Sequence, residues 1–155
     1  MPAVYIMVGV PASGKDWYIE HHKEDDDVVI SSDDVREELG DVNDQTRNKE
    51  VFSIFYDRMN KALAEGHNVW INATNVTAKN RVRPIQYGRH YNAKIVAIVM
   101  LTPIEQCIAN EELRDRKVGE EVIRKFNGRY EMPSYSEGFS EIKVIMNGEE
   151  VPYEN

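Results

Sequence analysis

The residues best suited to chemistry form a short run near the beginning of the chain, Gly9-Val10-Pro11-Ala12-Ser13-Gly14-Lys15. Glycines in such a run let the backbone wrap closely around phosphate, with successive N–H groups turned inward. The run follows an apolar segment and precedes an expected helix, whose N-terminus adds positive potential. This is the phosphate-binding loop pattern, in which the lysine reaches the β- and γ-phosphates of a purine triphosphate. The predicted phosphate ligands are Gly9, Pro11, Ala12, Ser13, Gly14 and Lys15.

The residue after the lysine departs from this pattern. A serine or threonine hydroxyl normally follows the lysine and binds Mg²⁺, whereas this chain has Asp16. A carboxylate is a good magnesium ligand, although it also brings negative charge near the β-phosphate. Asp16 is therefore predicted to belong to the nucleotide site and to bind its metal.

A second reactive pair, Asp33 and Arg36, follows the second apolar segment. Because the two residues are three positions apart, a helix places both on the same side. At the carboxyl end of a strand, where open α/β sheets bind ligands, Asp33 could accept the proton of an attacking hydroxyl. Arg36 could then hold an anionic acceptor. A simple helix cap is the alternative interpretation of Asp33.

Alternating strands and helices must bring these residues together, and the hydrophobic pattern predicts such elements. Apolar segments indicate strands over 4–10, 28–30, 69–71, 93–101 and 142–146. Helices are expected from Gly14, from 31–34 to Leu39, over 46–65, from Thr77 to about Tyr91, and from Pro103. Pro84 is expected to bend or divide the fourth of these helices. Strands that are apolar on both faces indicate a parallel sheet with helices on both faces.

Length and composition limit the class of protein. A chain of 155 residues with 41% hydrophobic and 30% charged residues suits one folded domain over 1–155. A single cysteine, Cys107, excludes a disulfide framework. No apolar run reaches the roughly 18 residues of a membrane helix, and the first ten residues lack the basic start of a signal peptide. We therefore expect a cytoplasmic protein that does not associate with membranes.

The charge is unevenly distributed along the chain. The net charge of −8 argues against non-specific coating of duplex DNA. No acidic residue lies between Glu65 and Glu105, however, while five basic residues do: Lys79, Arg81, Arg83, Arg89 and Lys94. As a group, these residues could accept a polyanion.

Taken together, the motifs resemble those of the phage and bacterial polynucleotide 5′-hydroxyl kinases, and the resemblance spans nearly the whole chain. They are the loop at 9–15, Ser31-Ser32-Asp33-Asp34 with Arg36, Asn72-Ala73-Thr74-Asn75, and a later arginine-rich lid with Arg114 and Arg116. The resemblance implies an α/β P-loop kinase fold, with an arginine-bearing lid over the parallel sheet.

The resemblance also implies a reaction, the transfer of the γ-phosphate of ATP, with Mg²⁺, to a 5′-hydroxyl end of DNA or RNA. Lys15 would hold the donor phosphates, Asp33 would be the general base and Arg36 would bind the acceptor. Arg114 would stabilise the transferring phosphoryl group. Arg116 would contact adenine or phosphate, with a solvated helix charge as the alternative interpretation. The phosphatase and ligase domains of several relatives are not expected in this chain, so complete end repair would need a partner protein.

Two further positions depart from the family pattern. Asn110 stands where such relatives usually have a second lid arginine, and Asn72 where they usually have an aspartate. Asp16 and Asn72 are expected to be neighbours in space. We therefore expect that the metal-binding carboxylate stands at position 16 instead of position 72, on the other side of the metal. The formal charge of the pair then stays −1. Two other functions remain open. One is a small-molecule kinase, including toxin-type kinases of nucleotide sugars, and the other is a degenerate nucleotide-binding protein.

Overall fold

The computed structural model describes residues 1–153, in which strands and helices alternate. The strands are β1 (Ala3–Val8), β2 (Val28–Ser31), β3 (Val69–Asn72), β4 (Lys94–Met100), β5 (Glu141–Met146) and β6 (Glu149–Val151). The helices are α1 (Lys15–His22), α2 (Ser32–Leu39), α3 (Asn48–Ala64), α4 (Ala78–His90), α5 (Ile104–Glu111) and α6 (Glu120–Gly128), and a 3₁₀ turn spans Tyr135–Glu137. Within residues 1–153, no helix has the length and apolar character needed to cross a membrane.

The six strands form one sheet in the order β2-β3-β1-β4-β5-β6. The first five strands are parallel, and β6 is antiparallel to β5. Since β1 pairs with β3 on one side and β4 on the other, the segment that follows β1 begins at the centre of the sheet. This is the predicted α/β fold, a mostly parallel sheet flanked by helices.

Alternate residues of β1 pack on opposite faces of the sheet. Val4, Ile6 and Val8 belong to a buried cluster that includes residues of α3 and α4. Met7 belongs to another cluster, with Ile19 of α1. Helices therefore cover both faces, and this explains why the strands are apolar on both sides.

A buried ion pair fixes the segment between β3 and α4. Arg81 donates to the two carboxylate oxygens of Glu137 at 2.8 and 3.1 Å, and to the carbonyl oxygen of Asn75 at 2.8 Å. The side-chain amide of Asn75 donates in turn to the carbonyl oxygen of Met7 at 2.8 Å. These bonds hold the segment against the end of β1, where the phosphate-binding loop begins.

Some local expectations are corrected by the structure. Thr77 caps α4 as predicted, but the helix is not divided at Pro84 and continues to His90. Proline removes one helical hydrogen bond, and packing of the buried Pro84 and its neighbours on the sheet maintains the helix. Strand β6 was not predicted, although the Asn147-Gly148 turn before it has the positive φ angles of a tight hairpin.

Candidate functional site

The phosphate-binding loop connects β1 to α1. The N–H of Gly9 donates to the carbonyl oxygen of Thr74 at 2.9 Å, which ties the loop to the segment after β3. A Cβ atom on Gly9 would lie 2.5 Å from Ser13 Oγ and 3.1 Å from Met100 Cβ, so any larger residue would force these neighbours to shift. Gly14 has φ +101°, in the left-handed region that favours glycine. The path of the loop thus explains both glycines of the sequence pattern.

Lys15 turns its side chain back over the loop. Its Nζ donates to the carbonyl oxygens of Gly9 at 2.9 Å and Val10 at 2.8 Å. An ammonium group has three hydrogens, so one is left for a ligand. Burial lowers the pKa of Lys15 to about 8, opposed by the negative charge of Asp16 and reinforced by the positive charge of Arg114. A bound phosphate would favour the charged form of this lysine.

Helix α2 presents Asp33 and Arg36 to the same cleft. Ser31 caps this helix, because its Oγ accepts a hydrogen bond from the N–H of Asp34 at 3.2 Å. Asp33 therefore does not cap the helix, and its carboxylate instead accepts from Arg36 Nη1 at 3.3 Å. Arg36 Nη2 donates to Asn48 Oδ1 at 3.0 Å, whereas its buried Nε has no partner in the described part of the chain. The guanidinium is held on two sides and keeps a free donor.

Residues 112–119, between α5 and α6, form a loop over the cleft that we call the lid. The buried carboxylate of Glu111 accepts hydrogen bonds from the N–H groups of Val118 and Gly119, the latter at 3.0 Å. Arg114 lines the cleft, and its buried Nη1 has no hydrogen-bond partner among residues 1–153. Arg116 forms ion pairs with Asp34 at 2.8 Å and Glu37 at 2.5 Å, so the lid is also attached to α2.

Asn110 supports the phosphate-binding loop. Its side-chain amide donates to the carbonyl oxygen of Ala12 at 3.1 Å and is itself held by Gln106 at 2.7 Å. Ala12 has φ 65°, which is uncommon for a residue with a side chain. An amide at position 110 therefore stabilises the loop, where the family resemblance suggested a second lid arginine.

Asp16 and Asn72 are in contact at the mouth of the loop, as expected. Asn72 Nδ2 donates to Asp16 Oδ1 at 2.6 Å. Across residues 1–153 there is no group of three or more His, Cys, Asp or Glu side chains that could hold a metal by itself. Mg²⁺ commonly binds through one or two carboxylates together with the phosphates of its nucleotide. One carboxylate beside an amide oxygen therefore fits a magnesium–nucleotide complex.

The phosphate-binding loop, α2, the lid and the pair of Asp16 and Asn72 all line one cleft of about 1210 Å³. Its acidic lining residues are Asp16 and Asp33. Its basic lining residues are Lys15, Arg36, Lys49, Lys79, Arg83, Arg114, Arg116, Lys125 and Arg129. The guanidinium of Arg83 lies 4.1 Å from the ring centre of Tyr56. The cleft is thus strongly basic within a chain of net charge −8.

A family model matches most of the chain. Residues 4–133, more than half of the chain, match the model described as AAA domain. The chain belongs to the AAA domain family. A comparison with curated proteins found no significant match.

Solved structures place this AAA domain protein in the P-loop kinase fold. The Pnkp1/Rnl/Hen1 RNA repair complex gives a TM-score of 0.73 at 21% identity, covering 83% of this chain and 43% of that chain. Chaetomium thermophilum Kti12 in complex with ADP-AlF3 gives a TM-score of 0.69 at 13% identity, covering 92% of this chain and 88% of that chain. Mycobacterium tuberculosis APS kinase CysC in complex with AMPPNP and APS gives a TM-score of 0.61 at 16% identity, covering 92% of this chain and 88% of that chain. The chain spans less than half of the RNA repair protein, and the likeness at these identities is one of fold.

The structure brings the predicted site residues of this AAA domain protein together. Pro11, Ala12, Gly14, Lys15, Asp16, Asp33, Arg36, Arg114 and Arg116 all line the cleft. Gly9 and Ser13 lie in the same loop, and Ser13 Oγ is buried with no partner in the described residues. Arg116 differs from the others because two carboxylates of α2 already hold its guanidinium. Its contact with the nucleotide remains a prediction.

Sequence analysis missed the wall of the cleft that α3 forms. Asn48, Phe52 and Tyr56 line this wall, and the Arg36 guanidinium lies 5.7 Å from the ring centre of Phe52. The available signal was an aromatic residue, Phe52, between the apolar residues Val51 and Phe55 of the predicted helix. Trp17, in the first turn of α1, is 47% exposed and also lines the cleft.

Proposed function

We propose that this AAA domain protein is a kinase that transfers the γ-phosphate of ATP to the 5′-hydroxyl end of a nucleic acid. ATP as donor is supported by the phosphate-binding loop and by structures of the same fold in complex with ADP-AlF3 and with AMPPNP. The acceptor is supported by the likeness to an RNA repair protein. The observation that carries this choice of acceptor is the basic lining of the cleft.

The basic lining favours an acceptor with several negative charges. The chain has 27 acidic residues, and basic side chains elsewhere often pair with them, as Arg47 does with Glu50 at 2.8 Å. Besides Lys15 and Arg114, to which the proposal gives the donor phosphates, five basic residues of the cleft lack an ion pair in the described residues: Lys49, Lys79, Arg83, Lys125 and Arg129. Their charge is therefore available to a ligand. Phosphodiester groups would use this potential, and a neutral sugar would not.

In the proposed reaction, Asp33 accepts the proton of the 5′-hydroxyl group. The hydroxyl oxygen forms a bond to the γ-phosphorus while the bond from that phosphorus to the β–γ bridging oxygen breaks, which releases ADP. Arg36 orients the acceptor through the Nη hydrogens that Asp33 and Asn48 leave unused, and Lys15 and Arg114 stabilise the charge on the transferring group. Bound Mg²⁺ would neutralise phosphate charge, and Asp16 and Asn72 are the residues that would hold it.

We also propose that residues 1–155 act as one kinase domain and supply one step of nucleic-acid end repair. A separate phosphatase or ligase protein would supply the other steps. The RNA repair complex, in which the similar protein is assembled with further proteins, supports this proposal.

A small-molecule kinase is the second candidate. The likeness in fold to an APS kinase, of whose chain this chain covers 88%, supports this candidate. The polar and aromatic wall of Asn48 and Phe52 could also enclose a small acceptor.

One assay separates these functions. The protein is incubated with ATP labelled at the γ-phosphate, Mg²⁺, 5′-hydroxyl DNA and RNA oligonucleotides, and a panel of nucleotide sugars and sulfated nucleotides. We expect label on the oligonucleotides and none with Lys15→Ala. Label on a metabolite alone would support the second candidate. ATP binding without transfer to any acceptor would indicate a degenerate nucleotide-binding protein.

A further inference from the structure

The contact between Asp16 and Asn72 joins two positions that are far apart in sequence. Asp16 lies in the first turn of α1, directly after the loop lysine, and Asn72 is the last residue of β3. Asn72 Nδ2 donates to Asp16 Oδ1 at 2.6 Å, and both side chains line the cleft. This hydrogen bond leaves Asp16 Oδ2 and Asn72 Oδ1 available as oxygen ligands.

Asp16 forms no ion pair in the part of the chain that the structure describes, although its charge lies near that of Lys15. Other carboxylates beside the cleft, such as Asp33 and Asp34, are paired with arginines. No lysine, arginine or histidine forms an ion pair with Asp16 within residues 1–153. An unpaired carboxylate beside a phosphate-binding loop would repel the nucleotide unless a cation lies between them. The site therefore needs a cation when the loop is filled.

The two residue types are the reverse of the usual arrangement. In P-loop enzymes, a hydroxyl after the loop lysine and an aspartate at the end of a neighbouring strand hold the Mg²⁺ of the nucleotide. Here the first position has the acid and the second has an amide. The pair keeps one negative charge and oxygen ligands on both elements.

We propose that Asp16 supplies the carboxylate that binds the metal of the bound nucleotide, and that Asn72 orients this carboxylate through their hydrogen bond. The metal-binding carboxylate has thus been exchanged between α1 and β3, and Asp16 is not an inactivating residue. This inference rests on the nucleotide binding of the proposed function and is independent of the acceptor.

The test measures how much Mn²⁺ or Mg²⁺ tightens the binding of ADP, by calorimetry with and without metal, and follows bound Mn²⁺ by its electron paramagnetic resonance signal. The variants are Asp16→Ser, Asn72→Asp and the double change, with Asp16→Asn as a control that keeps the shape of the side chain. We expect Asp16→Ser and Asp16→Asn each to reduce the metal enhancement of ADP affinity by about tenfold. The double change should restore the enhancement to within about threefold of that of the unaltered protein, since it rebuilds the usual pair.

Two results would overturn the exchange. One is an enhancement that is unchanged or larger in Asp16→Ser, and the other is an effect of the double change that equals the sum of the single changes. Because Asp16→Asn preserves the fold and removes only the charge, it decides the question if Asn72→Asp does not fold. Failure of the unaltered protein to bind ADP with or without metal would contradict the proposed function itself, whereas ADP binding without acceptor turnover leaves this test intact.

Discussion

The charged form of Lys15 is disfavoured in the free protein, and a bound phosphate would favour it. Two carbonyl oxygens hold the ammonium group in place, yet burial lowers its pKa to about 8. Phosphate oxygens would reverse this shift, because opposite charge favours the protonated form. Binding of a polyphosphate is therefore linked to uptake of a proton above pH 8.

We predict that the affinity for ADP without metal falls as the pH rises above about 8. Below this pH, Lys15 is already charged and no proton is taken up. Above it, the free lysine is neutral and must gain a proton on binding, so the affinity decreases by up to about tenfold per pH unit. Calorimetry in EDTA with two buffers of different ionisation heat measures the uptake. Lys15→Arg, whose charge does not titrate, should take up no proton, and equal uptake in that variant would contradict the assignment.

Asp33 and Arg36 touch each other but are predicted to act in different steps. Asp33→Asn removes the proposed base, so kcat with an oligonucleotide acceptor should fall by about 10² or more while acceptor affinity is nearly kept. Arg36→Ala should raise the KM for the acceptor by about tenfold or more, because a charged hydrogen-bond donor is lost. Steady-state kinetics and acceptor titrations distinguish the two effects. Equal and mild changes would mean that the pair only stabilises α2.

At the scale of elements, the lid is attached at two places. Glu111 holds its C-terminal end, and Arg116 joins it to Asp34 and Glu37 of α2. The same helix carries Asp33 and Arg36. The position of the lid, with Arg114 over the loop, is therefore coupled to the element that would bind the acceptor.

Arg116 has two candidate roles, a contact with the nucleotide and the attachment of the lid to α2, and these roles predict different effects of mutation. If the residue contacts the nucleotide, Arg116→Ala should weaken ADP binding while Asp34→Asn/Glu37→Gln should not. If instead its role is to join the lid to α2, the arginine variant and the carboxylate double variant should lower kcat alike, by up to about fivefold, with ADP affinity unchanged, as suits ion pairs that are partly exposed. Combining all three changes should then add little. A selective loss of ADP binding in Arg116→Ala would support the nucleotide contact predicted from the sequence.

The elements themselves show what sequence can predict. Local signals were enough for β1, the loop and α1, and for the cap at Thr77, because each depends on neighbouring residues. The contacts of Asn110 with Ala12 and of Arg116 with α2 join residues far apart in sequence, and no local pattern encodes them. The division of α4 at Pro84 was wrong for the same reason, since packing against the sheet maintains the helix through the proline.

On the scale of the whole molecule, charge is segregated. The chain carries −8 in total, yet most charged side chains of the cleft are basic and seven of these basic residues lack an ion pair within residues 1–153. The acidic remainder would repel nucleic acid in general. Binding should therefore be confined to a strand that enters the cleft, which suits an end-specific enzyme.

Salt dependence tests this segregation. If phosphodiesters lie along the basic lining, log affinity for a 5′-hydroxyl single strand should fall linearly with log salt, and a longer strand should give a steeper slope than a dinucleotide. Lys79→Ala, in the first turn of α4, should reduce the slope by about 0.7, the contribution expected for one phosphate contact on a single strand. Lys61→Ala is the matched control, because Lys61 is an exposed lysine of α3 outside the cleft. The comparison is made by fluorescence anisotropy between 50 and 300 mM salt (roughly the range over which such slopes are resolved). Equal slopes in the two variants, or affinity that does not depend on strand length, would indicate that the acceptor is a small molecule and that the basic lining serves the donor phosphates alone.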